Sequence, residues 1–447
     1  MSLLNNSYEA KLKAAGVYEP LSTLLATETV EKTLALGKGV KSANTISQVI
    51  PTIVGITQVD NKLVVSNGTT LRDSQGNVVS TALKNFIPEN YTTLKAALAL
   101  TAQGFSNSRV LIVGDSTTAG SDPYTGIVNA IAFSYPSAAK NVLNRSKLQA
   151  GTQSHSGSTL TENFLLNSQD PRIVDYPAGW GVFNTNDSLG RNLAANGSNL
   201  NPITFTPSVP TDTFTAYYLD VTGYDAFTLK SGATVIATAV ISGAAGVVKK
   251  VTGTTTLGMN TYAIQKVVAG SNCIILGYEA TNSQIAEVSL FNVGVPSAAI
   301  TDWFGKTPTQ NWSTLNAIAS AAFKPDLVVI NFGINHWAYG AAGVAAFEAS
   351  LNIAVAFLRN ANIPVVIMTP NPSPISVATQ ATQQLYIDAM YRTSVTYGVA
   401  VLDIFNAWGT TVNAVANGWM IGTDVHPIRL GYNNIGNHLA SMILQMC

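Results

Sequence analysis

Four short, unbroken apolar runs stand out along the chain: Val110–Val113, Leu327–Ile330, Pro364–Met368 and Val399–Leu402. Runs of this length without polar alternation predict strands buried on both faces. Between them the apolar spacing changes to a helical period. Trp312, Leu315, Ala319 and Ala322 share one face, with Thr307-Pro308 as cap and first turn. Leu351, Val355 and Leu358 share another, and a last helix carries Ile435, Leu439 and Met442. Alternating strands and helices predict a parallel sheet with helices on both sides, an α/β fold.

Two stretches break this rhythm. From 178 to 288 the apolar positions form short strand-like groups: Thr204–Thr206, Phe214–Val221, Phe227–Leu229, Tyr262–Val267 and Cys273–Leu276, separated by turn signals such as Ser231-Gly232 and Ala269-Gly270. That pattern predicts a β-sandwich inserted into the α/β domain. Residues 1–105 mix helix signals (Ser7–Ala15, Pro20–Gly37, Thr92–Ala102) with a hairpin signal, Asn67-Gly68 between β-branched residues of Leu63–Leu71. The expected organisation is an N-terminal region at 1–105, an α/β domain built from 106–177 and 289–447, and a sandwich at 178–288.

Composition narrows the function. The 447 residues are 47% hydrophobic and 11% charged, with 24 Lys+Arg against 24 Asp+Glu. A phosphate-tracking nucleic-acid binder needs a basic stripe, and a disordered chain needs fewer apolar residues, so both classes are excluded. The polar residues are mostly Ser, Thr, Asn and Gly, as in β-rich extracellular or virion proteins. Cys273 and Cys447 make neither a disulfide framework nor a metal site. No apolar run reaches the ~18 residues of a membrane span. The start, MSLLNNSYEAKLK, shows no secretory h-region, so release by cell lysis is expected.

Candidate chemistry lies on the turns after the apolar runs. Gly114-Asp115-Ser116 follows the first. A Ser there exposes a hydroxyl and a free N–H at the carboxyl edge of a parallel sheet, where active groups collect. Alone, Gly-Asp-Ser also reads as a turn or helix cap. Asp424-Val425-His426-Pro427 precedes the last helix and offers a base with a carboxylate beside it. Asn331–His336 ends the second run, and its side-chain amide could face a developing oxyanion. Asn292–Ser297 is a fourth turn that could supply a backbone N–H.

Taken together, these four elements resemble the blocks of the SGNH (GDSL-type) serine hydrolases, over 106–177 and 289–447. Gly114-Asp115-Ser116 matches the first block completely; Gly333-Ile334-Asn335-His336 matches Gly-x-Asn-Asp with His336 for the final Asp. The resemblance implies a three-layer α/β/α hydrolase with Ser116 as nucleophile and first oxyanion donor. Asn335 and the Ser297 N–H would complete the hole, and His426 would be general base, then acid. No metal or cofactor is required. Two positions depart from the family. Ser297 stands where a Gly is usual, and Asp424 is two residues before His426, with Thr423 at the usual place of the acid. Either Asp424 orients His426 across a shorter loop, or a backbone carbonyl does. His336, Trp337 and Asn371 are expected to line the substrate pocket.

The insert resembles jelly-roll, carbohydrate-binding-like modules that accompany SGNH acetylesterases, with Trp180, Tyr217, Tyr218 and Tyr224 able to stack on sugars or, equally, to fill its core. Combined with the composition, this implies a bacteriophage tail-spike or tail-fibre esterase. Its substrate would be an O-acetylated capsule or O-antigen glycan. Its place would be the virion, or the exterior after lysis, and residues 1–105 would serve trimeric association and virion attachment. A bacterial carbohydrate or lipid esterase of the same family, and a non-catalytic glycan-binding protein on this scaffold, are the alternatives.

Overall fold

The computed structural model describes residues 83–124, 134–143, 201–207, 210–243, 245–268, 272–304, 314–374 and 376–446, with short strands at 56–59, 62–65, 71–72, 78–80, 127–128, 164–165, 180–184 and 192–196. At its centre lie five parallel strands: β1 (Ser108–Gly114), β2 (Val288–Gly294), β3 (Leu327–Asn331), β4 (Val365–Met368) and β5 (Ala400–Leu402), in the order β2-β1-β3-β4-β5. The four apolar runs are four of these strands. Their lack of alternation has a direct cause. Val110 and Ile112 enter one hydrophobic core, while Leu111 and Val113 enter another on the opposite face. A strand with core on both sides has no solvent-facing positions, so its sequence does not alternate.

Helices cover both faces. On one side lie α1 (Thr92–Ala102), α2 (Tyr135–Leu143) and α5 (Arg429–Gln445); on the other lie α3 (Val344–Asn360) and α4 (Gln380–Tyr397). The Leu351, Val355 and Leu358 stripe is buried on α3, and Ile435, Leu439 and Met442 on α5. The Trp312–Ala322 pattern yields a shorter helix, Thr314–Ala319; Thr307-Pro308 lies outside the described residues. Among the described residues one segment, Ile334–Asn360, is long and apolar enough by length and composition to cross a membrane. Here it breaks at Gly340 (φ +59°), and Phe347, Leu351, Ala354, Val355 and Leu358 of α3 pack into the core.

Two antiparallel sheets form the insert. One holds Ala245–Gly258, Thr211–Val221, Cys273–Thr281, Asn192–Asn196 and Trp180–Asn184, with Phe164–Leu165 also paired to Cys273–Thr281. The other holds Ile203–Phe205, Tyr262–Lys266, Phe227–Ser231 and Thr234–Thr238. Phe214, Ala216 and Tyr218 point between the sheets, against Phe227, Tyr262 and Tyr278. Tyr217 and Leu219, on the opposite face of the same strand, pack onto the α/β domain with Leu111 and Phe291. Tyr217 donates to Glu279 (3.0 Å), whose carboxylate also pairs with Arg109 of β1 (2.6 Å). Tyr217 and Tyr218 are therefore buried packing residues and not sugar platforms, while Tyr224 is partly exposed.

The expected boundary at 105 needs correction. Tyr91, Leu94 and Leu98 of α1 share a core with Val110 and Ile112. Lys84 pairs with Asp403 (2.7 Å) and bridges to Val401, extending the sheet by one residue. Residues from 83 onward thus belong to the α/β domain. Lys62–Val65 is a strand, pairing antiparallel with the preceding Ile56–Val59. Asn67-Gly68 and the helix signals before residue 40 lie outside the described residues.

Candidate active site

The strand order places a reversal of winding beside β1, the position where open α/β sheets form a crevice at their carboxyl edge. Gly114 closes β1, and a Cβ there would lie 2.0 Å from the Thr118 hydroxyl and 2.6 Å from the Asn331 carbonyl, so only Gly lets the chain turn under the sheet. The Asp115 side chain then caps the short helix Ser116–Ala119 by accepting the Thr117 N–H (2.9 Å). Ser116 is the first helical residue, and its N–H has no acceptor within the helix. Asp115 is buried, and desolvation pushes its carboxyl up to about 7 against the pull of its Thr117 hydrogen bonds. It serves as a cap.

From the far end of the chain, His426 meets this turn. Its Nε2 is 2.8 Å from the Ser116 Oγ, and its Nδ1 is 2.6 Å from the Asp424 Oδ1. An ionised carboxylate only accepts, so Nδ1 carries the proton and the Nε2 lone pair receives the Ser116 hydroxyl. The same Asp424 Oδ1 accepts the His426 backbone N–H (2.7 Å). This is an Asx turn, and it explains how an acid two residues before the histidine reaches the ring. Asp424 is held by its own backbone geometry on a half-open surface, its side chain 37% exposed against 19% for His426.

The two remaining blocks are tied to this pair. Asn292 donates to the Thr118 carbonyl (2.9 Å) and accepts from the Gly294 N–H (2.9 Å), while Val295 donates to the Gly114 carbonyl (3.0 Å). A Cβ on Gly294 would lie 2.2 Å from the Ala119 nitrogen, so Gly is required for this approach. The following turn carries Pro296-Ser297, closed by Ala298 N–H to the Val295 carbonyl (3.1 Å), with Ser297 at φ +62°. The Gly usual here would adopt that conformation without strain; Ser adopts it at some cost. Asn335 follows β3 and donates one amide N–H to the Ala298 carbonyl (2.9 Å), which links the two loops. Below Ser116, Thr118, Tyr135 and Asn331 form a buried network: the Thr118 and Tyr135 hydroxyls lie 2.7 Å apart and 3.2 and 3.1 Å from the Asn331 Oδ1, so one donates to its neighbouring hydroxyl and the other to Asn331.

The structure thus brings Ser116, His426 and Asp424 into one hydrogen-bonded line, and ties the Asn335 loop to the Ser297 turn. It does not put the three expected pocket residues at a surface. His336 is buried against Phe347 (ring centroids 5.0 Å apart), and Trp337 is buried beside Phe405 (6.3 Å). Asn371 is buried with its amide on protein carbonyls. All three follow carboxyl ends of strands, which made them candidates, but each turns inward. Asn292, Thr118, Tyr135 and Asn331 carry the support of the turn; Asn292 and Asn331 open two of the four motif turns and Thr118 lies just after Gly114-Asp115-Ser116, while Tyr135 stands in none of them. Among the described residues no group of three His, Cys, Asp or Glu could hold a metal.

A serine, a histidine and a carboxylate in line, at the carboxyl edge of a doubly covered parallel sheet, define an α/β serine hydrolase. Residues 277–433 match the sequence model of the GDSL-like Lipase/Acylhydrolase family. In three dimensions the chain is similar to a solved peptidoglycan O-acetylesterase, with TM-score 0.58 and 17% identity over 80% of this chain and 96% of that one. It is also similar to a carbohydrate esterase family 2 enzyme plus carbohydrate binding domain from Corynascus thermopiles (Myceliophthora fergusii), with TM-score 0.26 and 15% identity over 56% and 94%. No curated protein matches it in sequence. The chain carries a GDSL/SGNH esterase domain in the SGNH-hydrolase fold. The matched segment holds Ser297, Asn335 and His426 but not Ser116, which the β1–β2 pairing returns to them across the insert.

Proposed function

We propose that this esterase removes O-acetyl groups from a bacterial surface polysaccharide, a capsule or O-antigen, as part of a bacteriophage tail spike or tail fibre. The observation that carries the esterase chemistry is the line from Ser116 Oγ through His426 to Asp424, at 2.8 and 2.6 Å. Ser116 attacks the acetyl carbonyl as His426 Nε2 takes its proton. The oxyanion is held by the N–H groups of Ser116 and Ser297 and the free amide N–H of Asn335. His426 then gives the proton to the sugar oxygen as its bond to the acetyl carbon breaks, so the sugar leaves as the alcohol and acetyl-Ser116 remains. Water, deprotonated by His426, releases acetate and restores the serine.

Support for a glycan ester comes from the sandwich bonded to β1 through Arg109 and Glu279, and from the sparsely charged, Ser/Thr/Asn-rich composition. The virion placement rests on that composition and on the N-terminal region, whose task would be trimeric attachment. The test is hydrolysis of p-nitrophenyl acetate and longer-chain esters, then acetate release from O-acetylated capsule, O-antigen and peptidoglycan. Acetate preference that Ser116→Ala reduces by at least ~10⁴-fold is expected. Preference for long chains would turn the reading to a lipid esterase. Activity unaffected by Ser116→Ala would leave a glycan-binding protein.

A further inference from the structure

Asn371 lies three residues beyond β4 and touches neither Ser116 nor His426 directly. Its Nδ2 donates to the Val425 carbonyl (2.9 Å) and the Pro372 carbonyl (3.1 Å), and sits 3.7 Å from the Met420 sulfur. Val425 is the residue between Asp424 and His426. Met420 bridges antiparallel to Pro427, and Ile428 donates to the Trp419 carbonyl (2.9 Å). One buried amide therefore ties the loop that carries the histidine to the segment after β4, with the Met420 sulfur packed beside it.

Stability alone does not account for an Asn here. Its Oδ1 is buried with no hydrogen-bond partner, an arrangement an apolar side chain of similar volume would avoid. The amide orientation is set by its neighbour, because the flipped form would face one carbonyl oxygen with another. What Asn supplies and Leu cannot is a donor to Val425. The loop needs such an anchor: Asp424 reaches His426 from a half-open surface, while proton transfer requires Nε2 to stay on the Ser116 Oγ.

We propose that Asn371 is a positioning residue, which fixes the Val425 carbonyl and thereby holds His426 against Ser116. The inference rests on the esterase reading. It is tested by a double-mutant cycle of Asn371→Leu and His426→Ala on p-nitrophenyl acetate. Alone, Asn371→Leu should lower kcat by 10- to 100-fold with KM within twofold. In the His426→Ala background it should change the residual rate less than twofold, because no base remains to position. Asn371→Asp, which keeps the size but lacks the N–H, should fare no better than Leu. If the Leu variant does not fold, Asn371→Ser runs the same cycle. Equal losses in both backgrounds, a rise in KM with kcat unchanged, or full activity in Asn371→Asp would overturn the assignment. Wild-type activity in His426→Ala alone would instead overturn the esterase reading beneath it.

Discussion

Replacing Asp424 by Asn offers a sharp test of how this relay is built. In serine proteases an Asp→Asn change at the equivalent role costs roughly 10⁴ in rate, because the amide turns its N–H to the histidine and imposes the wrong tautomer. Here one oxygen, Oδ1, accepts both the His426 backbone N–H (2.7 Å) and the ring Nδ1 (2.6 Å). The backbone N–H cannot accept, so an Asn at 424 keeps its oxygen in place and the tautomer is preserved. What is lost is charge. A charge-assisted bond exceeds a neutral one by about 1–1.5 kcal/mol, and partial exposure puts the loss at the low end. Asp424→Asn should therefore lower kcat about 5- to 10-fold. Asp424→Ala also removes the acceptor that closes the turn, about 1 kcal/mol more, for a loss of roughly 30- to 100-fold. The assay is kcat and KM on p-nitrophenyl acetate at pH 8, with thermal melts confirming folding. A 10³-fold or greater loss in Asp424→Asn would falsify the shared-oxygen argument, and so would equal losses in the two variants.

Other outcomes follow from the buried groups. His438 is buried on α5, and desolvation pulls its imidazole down from 6.5 to about 4. The unfolded chain takes up this proton near pH 6.5 and the folded chain only near 4, so stability present above pH 6.5 falls as the pH drops to 4, by up to roughly 3 kcal/mol at 1.36 kcal/mol per unit. Urea titrations of His438→Gln should show a smaller pH 7-to-5 difference than wild type; an identical slope would refute this. Asp115 works in the opposite sense: its carboxyl is raised from 3.8 to about 7, so stability is lost as pH rises through that window. Relative to wild type, Asp115→Asn should gain stability from pH 4 to pH 8, and a flat difference would contradict its burial. Gly294→Ala should cost both melting temperature and kcat, since its Cβ meets the Ala119 backbone at 2.2 Å. Ser297→Gly should leave kcat within about threefold and the fold no less stable, because the left-handed backbone suits Gly.

The central sheet was legible because its strands are buried on both faces and so are written as unbroken apolar runs. Helix α4 was not: Gln380–Tyr397 is rich in Gln and Thr, with Tyr386, Ile387 and Met390 too sparse to read as a stripe. Its ends are set by a Thr379 cap and by Gly398 at φ +60°, signals weak without the neighbouring strands. Four strands of the insert were also hidden: Trp180–Asn184, Asn192–Asn196, Thr234–Thr238 and Ala245–Gly258. Ala245–Gly258 is mostly Thr, Gly, Val and Lys, and Thr234–Thr238 is largely exposed; neither shows clean alternation. In the site, the residues in the line were visible because Ser, His and Asp each stand on a turn. The inward direction of His336, Trp337 and Asn371 was not visible, since a loop's sequence does not tell which way its side chains face. The role of α1 was hidden for a related reason. Thr92–Ala102 reads as a helix, but its partners Val110 and Ile112 become apparent only when the sheet is assembled.

The pairing of β1 with β2 joins Ser108 to Val288 across the whole insert, and Ser116 meets a histidine 310 positions later. Closing so long a loop in an open chain is entropically costly and slow. The insert changes that problem. Its strands from Ile203 to Thr281 pair with one another and enclose a core of their own. Once collapsed, they replace most of the long connection with a short rigid one, and Glu279 arrives beside Arg109. The module thus acts as an internal scaffold for assembly, whatever it binds. The serine and its base are made 310 residues apart, so the Ser116–His426 hydrogen bond can form only after the strands on both sides of the insert exist.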